Sequence, residues 1–234
     1  MSEPFKLVAL LPMKAHSARV TSKNFREFAG KPLFRWILDT LLSMEEIDRV
    51  VINTDAREIL AEKGLKDGDS DGRVMIRDRK PEICGDFVSM NLVLGDDVAN
   101  VASDAYLMTH TTNPLLSADA MRGALARYHA TVKAGEADSL FAVNRIQTRF
   151  YREDMSPVNH DPDNLIRTQD LEPWFEENSN LYLFNRESFA ATNARIGKRP
   201  AMYVTPALES IDIDDADQWA LAEAVALYNA RKGS

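Results

Sequence analysis

The chain runs Leu7-Val8-Ala9-Leu10-Leu11-Pro12 into Met13-Lys14-Ala15-His16-Ser17-Ala18-Arg19-Val20-Thr21-Ser22-Lys23-Asn24, and soon reaches Gly30-Lys31-Pro32-Leu33. Its continuous apolar character after Lys6 predicts a strand over Phe5–Leu11, buried on both faces as in a parallel sheet. The polar loop that follows carries Lys14, Arg19, Lys23, Arg26 and Lys31 against Glu27, in a protein of net charge −8. An α/β protein holds phosphate-rich ligands at the carboxyl end of such a strand, and clustered cations suit them. On charge alone, a solvated basic loop is the alternative.

Working outward, the first half alternates between strand and helix signals. Pro32 at a first helical position opens a helix to about Leu42, with Leu33, Trp36, Ile37 and Leu41 as its apolar stripe. Strands are predicted at Arg49–Asn53, Val74–Arg77 and Ala105–Thr109. Helices are predicted at Ala56–Lys63, stopped by Gly64, at Val88–Val101, and from a Ser117 cap to about Val132. Such βαβ alternation predicts an α/β fold with a largely parallel sheet and helices on both faces. Beyond a strand at Ser139–Asn144, residues 147–177 read as an excursion from the main sheet, a small lobe or dimer arm within a single 1–234 domain. Short strands at Leu181–Phe184, Met202–Thr205 and Glu209–Asp214 precede a last helix, Ala216–Arg231.

Composition narrows the classes. A chain of 234 residues, 45% hydrophobic, can bury a sizeable core. A pI near 5.1 argues against a broad nucleic-acid-binding face, yet leaves room for one nucleotide. No run is long enough to span a bilayer. Met1–Lys6 lacks the features of a signal peptide, and the single Cys84 suits a reducing cytoplasm. Gly64, Gly68 and Gly72 lack dinucleotide-fingerprint spacing, Gly30-Lys31 lacks the upstream glycine of a P-loop, and the four histidines with Cys84 show no zinc-ligand spacing.

Glu209-Ser210-Ile211-Asp212-Ile213-Asp214-Asp215 is the second informative segment. Read as a strand, it puts Ser210, Asp212 and Asp214 on one face. Two carboxylates so placed repel unless a cation lies between them, and Mg²⁺ with bound phosphate meets that need. The alternative is that Asp214 or Asp215 caps the following helix. A basic loop at one end and an acidic pair at the other is the division of labour a nucleotidyltransferase requires.

The same residues resemble the sugar-nucleotide cytidylyltransferases, in particular the acylneuraminate (CMP-sialic acid) synthetase group and its ketodeoxyoctonate-activating cousins. Their loop pattern A-R-x-x-S-K-x-x-x-x-K-N is matched by Lys14 (for the arginine), Ser17, Lys23 and Asn24, followed by Gly30-Lys31-Pro32-Leu33. It departs at Ala18, where the family carries lysine and this chain has Arg19 next door. Asn53-Thr54-Asp55 resembles the strand-end T-D motif, and Arg79-Lys80-Pro81 through Asp86 the R-P-x-x-x-x-x-D segment. Thr109-His110-Thr111-Thr112-Asn113-Pro114-Leu115 resembles the Q-x-T-S-P-L turn, with His110 close to the place of the glutamine. Arg167-Thr168-Gln169-Asp170-Leu171 and Asn178-Ser179-Asn180-Leu181-Tyr182 resemble the R-Q-D-L and N-G-A-I-Y elements, Ser179 replacing glycine. Asp212 and Asp214 match the family's D-I-D pair.

The resemblance implies a Rossmann-like three-layer nucleotidyltransferase fold and a CTP-dependent enzyme that activates an acidic sugar, a nonulosonic or 3-deoxy-ulosonic acid, with release of pyrophosphate. Lys14, Ala15, His16, Ser17, Arg19, Lys23, Asn24, Arg79 and Thr109 are then expected at the nucleotide. Thr111, Thr112, Asn113, Arg167, Gln169 and Asn178 are expected at the sugar, with Asp212 and Asp214 holding Mg²⁺. Lys14, Arg19, Lys23, Asp212 and Asp214 would carry catalysis in a cytoplasmic homodimer that binds neither nucleic acid nor membrane. A metal-dependent glycosyltransferase and a non-catalytic nucleotide-binding protein on the same scaffold remain the alternative readings. The first leaves the basic loop unexplained and usually carries its D-x-D motif mid-sheet.

Overall fold

The structure, a computed structural model, describes residues 5–16, 20 and 22–232. Seven strands form one sheet. They are β1 (Leu7–Leu10), β4 (Arg49–Thr54), β5 (Val74–Asp78), β6 (Ala105–Thr109), β7 (Ser139–Ile146), β8 (Trp174–Phe184) and β9 (Pro200–Val204). Their order is β5-β4-β1-β6-β8-β7-β9. All run parallel except β8, which is antiparallel to both of its neighbours. A separate two-strand hairpin, β2 (Glu27–Phe28) and β3 (Lys31–Pro32), turns through Ala29 and Gly30 at φ 44° and 92°. The left-handed conformation there favours glycine.

Every residue of β1 is fully buried because the sheet is covered on both sides. Leu7 and Ala9 join Phe34, Ile37, Leu38 and Leu41 of α1 (Leu33–Ser43), Leu60 of α2 (Arg57–Glu62) and Met121, Ala124 and Leu125 of α4 (Ala118–Lys133). Val8 and Leu10 join Leu94 and Val98 of α3 (Met90–Asn100) and Phe189 of α5 (Arg186–Thr192). Each buried leucine contributes about 1.5–3 kcal/mol. The three-layer α/β architecture expected from the alternation is the one observed. A third cluster packs α6 (Ala216–Lys232) through Trp219, Ala222 and Ala226 against Phe28, Leu33 and Ile213.

Three local expectations change. Pro32 ends β3 and precedes α1 instead of opening it. Trp174–Glu177 belong to β8, where they pair with Val143–Ile146, so the irregular excursion is confined to residues 147–173. Glu209–Asp214 is not a strand: Ala207–Glu209 form a single 3₁₀ turn and the residues after it are irregular. Ile213 N donates to Thr112 O at 2.9 Å and anchors that segment to the turn after β6. Among the described residues, no helix is long and apolar enough to cross a membrane.

Candidate active site

The chain leaves β1, adds β4 and β5 on one side, and then crosses to β6 on the other. Strand order thus reverses between β1 and β6, and open α/β sheets bind ligands at that carboxyl-end crevice. A cleft of about 310 Å³ opens there, lined by Pro12, Met13 and Lys14 after β1, by His110 and Thr112 after β6, and by Lys23, Asn24, Arg79 and Asp86. A second cleft of about 340 Å³ is walled by Glu176, Glu177, Asn178 and Ser179 of β8 and by Asp212 and Asp214.

The basic loop is fastened at several points. Leu11 N and Met13 N continue the pairing with β4, donating to Val51 O and Asn53 O at 2.8 and 3.1 Å. Ala15 N donates to Asp55 Oδ1 at 2.7 Å, so the strand-end Thr-Asp pair secures the start of the loop. Buried Asn24 donates from Nδ2 to Lys14 O at 2.9 Å and accepts from Thr111 Oγ1 at 2.6 Å, tying the loop to the turn after β6. Arg79 donates to Met13 O, Asn53 O and Asn53 Oδ1 at 3.1, 2.7 and 3.0 Å. Burial pulls the Arg79 guanidinium below its ordinary value, while Asp55, Cys84 and Asp97 pull it back up.

Lys14 is half-exposed on the cleft wall and pairs with Asp86, whose carboxyl that contact holds below its ordinary value. Lys23 is buried, and its Nζ reaches Ile213 O at 2.5 Å and Asp214 Oδ1 at 3.4 Å. The cationic and acidic segments therefore meet in space. Asp212 and Asp214 face the same cleft, although no strand carries them. Ile213 is drawn into the α6 cluster with no exposure, which turns its two neighbours the other way. Asp215 caps α6, its Oδ1 accepting from Gln218 N at 2.8 Å.

The remaining sequence-predicted residues separate. Ser17 and Arg19 lie outside the described residues, as does Ala18. His16 is exposed on a neighbouring depression with Asp55 and Arg57. Thr109 is fully buried and donates to Asn180 O at 2.6 Å, holding β8 to β6 instead of lining the cleft. Asn113 is buried behind the turn. Arg167 and Gln169 sit on the exposed excursion, where Arg167 pairs with Asp170 at 2.7 and 3.0 Å, and neither lines these two clefts. Arg26 lies over the Trp219 ring at 4.6 Å and Lys31 pairs with Asp39, so these two loop cations serve packing.

Asn178 owes its place to a bulge. Between the pairs Phe141–Tyr182 and Val143–Glu177, β8 carries extra residues opposite one on β7. Ser179 there has φ 58°, the left-handed region in which the family pattern carries glycine. The bulge turns Asn178 inward, donating to Asn144 Oδ1 at 3.0 Å and Thr205 Oγ1 at 3.1 Å.

One neighbour of the cleft residues has no local signal in the sequence. Arg195, in the loop after α5, stacks its guanidinium 3.8 Å over Tyr182 and places Nη1 3.5 Å from His110 Nε2. Its setting appears only when β6, β8 and this loop converge. Burial, then Arg195 and Lys23, push His110 down to about 3, so the imidazole is neutral at pH 7. The arginine can only donate, which makes Nε2 the acceptor.

Residues 8–229 match the profile of a family described as Cytidylyltransferase. The chain is similar to the CMP-N,N'-diacetyllegionaminic acid synthase of Legionella pneumophila, 27% identical over 230 residues that cover 93% of this chain and 95% of that one. The N-acylneuraminate cytidylyltransferase of Oncorhynchus mykiss is 26% identical over 225 residues, 93% of this chain, which spans about half (49%) of that protein. The fold matches that of a CMP:2-keto-3-deoxy-manno-octonic acid synthetase solved with CTP, with a TM-score of 0.64 and 15% identity over 97% of this chain and 99% of that one.

Proposed function

Since this chain belongs to the cytidylyltransferase family, we propose that it activates an acidic sugar of the nonulosonic or 3-deoxy-ulosonic class, in the cytoplasm, by joining it to the CMP moiety of CTP. The observation that carries this reading is the contact of Lys23 with Ile213 O and Asp214, which brings the cationic loop of the first cleft against the acidic pair of the second. In this reading Lys14 and Lys23 hold the phosphates of CTP, and Arg79 and Asn24 keep the loop in the shape that presents them. Arg19 would take the part of the lysine that Ala18 lacks.

Asp212 and Asp214 fit a hard divalent cation by their chemistry. They offer carboxylate oxygens at one cleft. Such a pair leaves positions for phosphate and water oxygens, the habit of Mg²⁺. When bound, Mg²⁺ would supply charge neutralisation at the phosphate under attack. Lys23 then balances the acidic pair and fixes the segment that bears it. Asn178 at the second cleft would face the sugar, whose anomeric hydroxyl attacks the α-phosphate and expels pyrophosphate.

Exposed Tyr151, Met155, Leu165 and Ile166 and the half-exposed Trp174, stacked on Phe150 at 5.2 Å, support a homodimer joined through residues 147–177. Within such a dimer Arg167 and Gln169 could serve the partner's cleft. Pyrophosphate release from CTP and Mg²⁺ with a panel of sugar acids tests the function, and no release with any acid would overturn it. Light scattering tests the dimer, against which a monomer mass at all concentrations would count.

A further inference from the structure

We propose that Arg195 recognises the carboxylate of the acidic sugar, an inference that rests on the sugar-acid reading above. The side chain is only 19% exposed. Its neighbours are the Tyr182 ring face, Met108 Sδ at 3.9 Å and the neutral His110 at 3.5 Å. The sole carboxylate within 4 Å among the described residues, Glu177, stands 3.6 Å from Nη2, and the same Glu177 oxygen accepts from the Tyr182 hydroxyl. A distance of 3.6 Å is outside hydrogen-bonding range.

A guanidinium has five N–H donors and no acceptor. Mostly covered, and ion-paired with Glu177 without a hydrogen bond, it keeps its donors for a second carboxylate, which answers its fork with two parallel hydrogen bonds. The position is right for one. His110, 3.5 Å from Arg195, lines the first cleft and Glu177, 3.6 Å from it, lines the second, so the guanidinium lies between one lining residue of each. Its backbone N donates to Asn91 Oδ1 at 3.3 Å, which holds the loop against α3. A sugar acid brings hydroxyls as well as a carboxylate, and Glu177 offers acceptors for them beside the arginine. Arg167 cannot supply this contact within one chain, being exposed and already paired with Asp170.

The test measures calorimetric binding of N-acetylneuraminic acid, N,N'-diacetyllegionaminic acid and 2-keto-3-deoxy-manno-octonic acid to the full chain. The tightest binder is then compared with its primary amide. Arg195→Gln should weaken the acid by roughly ten- to hundredfold, the scale of a charge-assisted contact. Arg195→Lys should recover part of that, and CTP affinity should stay within about twofold. The amide should bind the unsubstituted protein as weakly as the acid binds Arg195→Gln.

Four outcomes overturn the proposal: an unchanged acid affinity in Arg195→Gln, an amide that binds as tightly as the acid, a loss confined to CTP, or no acid bound. Pyrophosphate release on the same samples separates the two readings. Turnover indifferent to Arg195 would remove this assignment and leave the function standing. Acid held through Arg195 without pyrophosphate from CTP would do the reverse. Should Arg195→Gln fail to fold, Arg195→Lys and the acid–amide comparison carry the test.

Discussion

Lys23 Nζ lies 2.5 Å from the carbonyl oxygen of Ile213, a contact that joins the first loop of the chain to its last irregular segment across 190 residues. The lysine is 8% exposed, so the bond is made away from bulk water. Replacing it with methionine keeps the stem and leaves a carbonyl without its donor. The expected cost is about 2 kcal/mol, and hence a fall of roughly 4–8 °C in Tm. Turnover should fall much further, because the acidic pair loses its tether. An unchanged Tm together with normal CTP turnover would show that the contact matters to neither.

Asp212 and Asp214 share a cleft without sharing a strand. Asp212→Asn or Asp214→Asn should each lower Mg²⁺-dependent turnover on the order of a thousandfold, since a lost ligand for transition-state charge costs several kcal/mol. Circular dichroism should report an intact fold, because Ile213 packs the segment into the core with α6. Normal rates at saturating Mg²⁺ in both variants would dismiss the metal assignment.

Two groups give stability opposite dependences on pH. His110 is depressed from 6.5 to about 3, chiefly by burial, so its contribution is complete above pH 6.5 and is lost as pH falls toward 3. Asp97 is raised from 3.8 to about 6, again chiefly by burial, so its contribution is present below pH 3.8 and is lost as pH rises through 6. Between pH 4 and 6 the two slopes oppose each other. Asp97→Asn should therefore tilt the profile toward stability rising with pH, and His110→Gln should tilt it toward stability falling with pH. Urea titrations at pH 4, 5 and 6 would read this directly, and parallel curves for all three proteins would refute it.

Ser179 holds a left-handed conformation at the β8 bulge, with φ 58°. Its hydroxyl offers little in return, accepting from Tyr182 Oη only at 3.4 Å. Ser179→Gly relieves a strain of about 1 kcal/mol and should raise Tm by roughly 2–4 °C. A lower Tm would mean that the hydroxyl contact, or the added freedom of the unfolded chain, outweighs the strain.

Much of this protein is legible in its sequence, because local physics determines it. The unbroken apolar run of β1, the helix stripe containing Ile37 and Leu41, and the Ser117 and Asp215 caps follow from burial and hydrogen bonding within a few residues. The ordered motifs from Lys14 to Asp214 likewise announce the family, since each keeps its residues within a short segment. Tertiary structure alone decided which charges meet. The described loop cations divide between the cleft (Lys14, Lys23) and the packing of α1 and α6 (Lys31, Arg26), and spacing along the chain cannot make that division. Asp212 and Asp214 were expected together on a strand, but they are together because the core takes Ile213. Arg195 carries no signal among its neighbours in sequence, and its setting is made by Met108, His110 and Tyr182 from two other strand ends. Periodicity reports what a segment buries. Which side chains converge depends on strand order and on bulges, and both are settled by contacts between residues far apart in the chain.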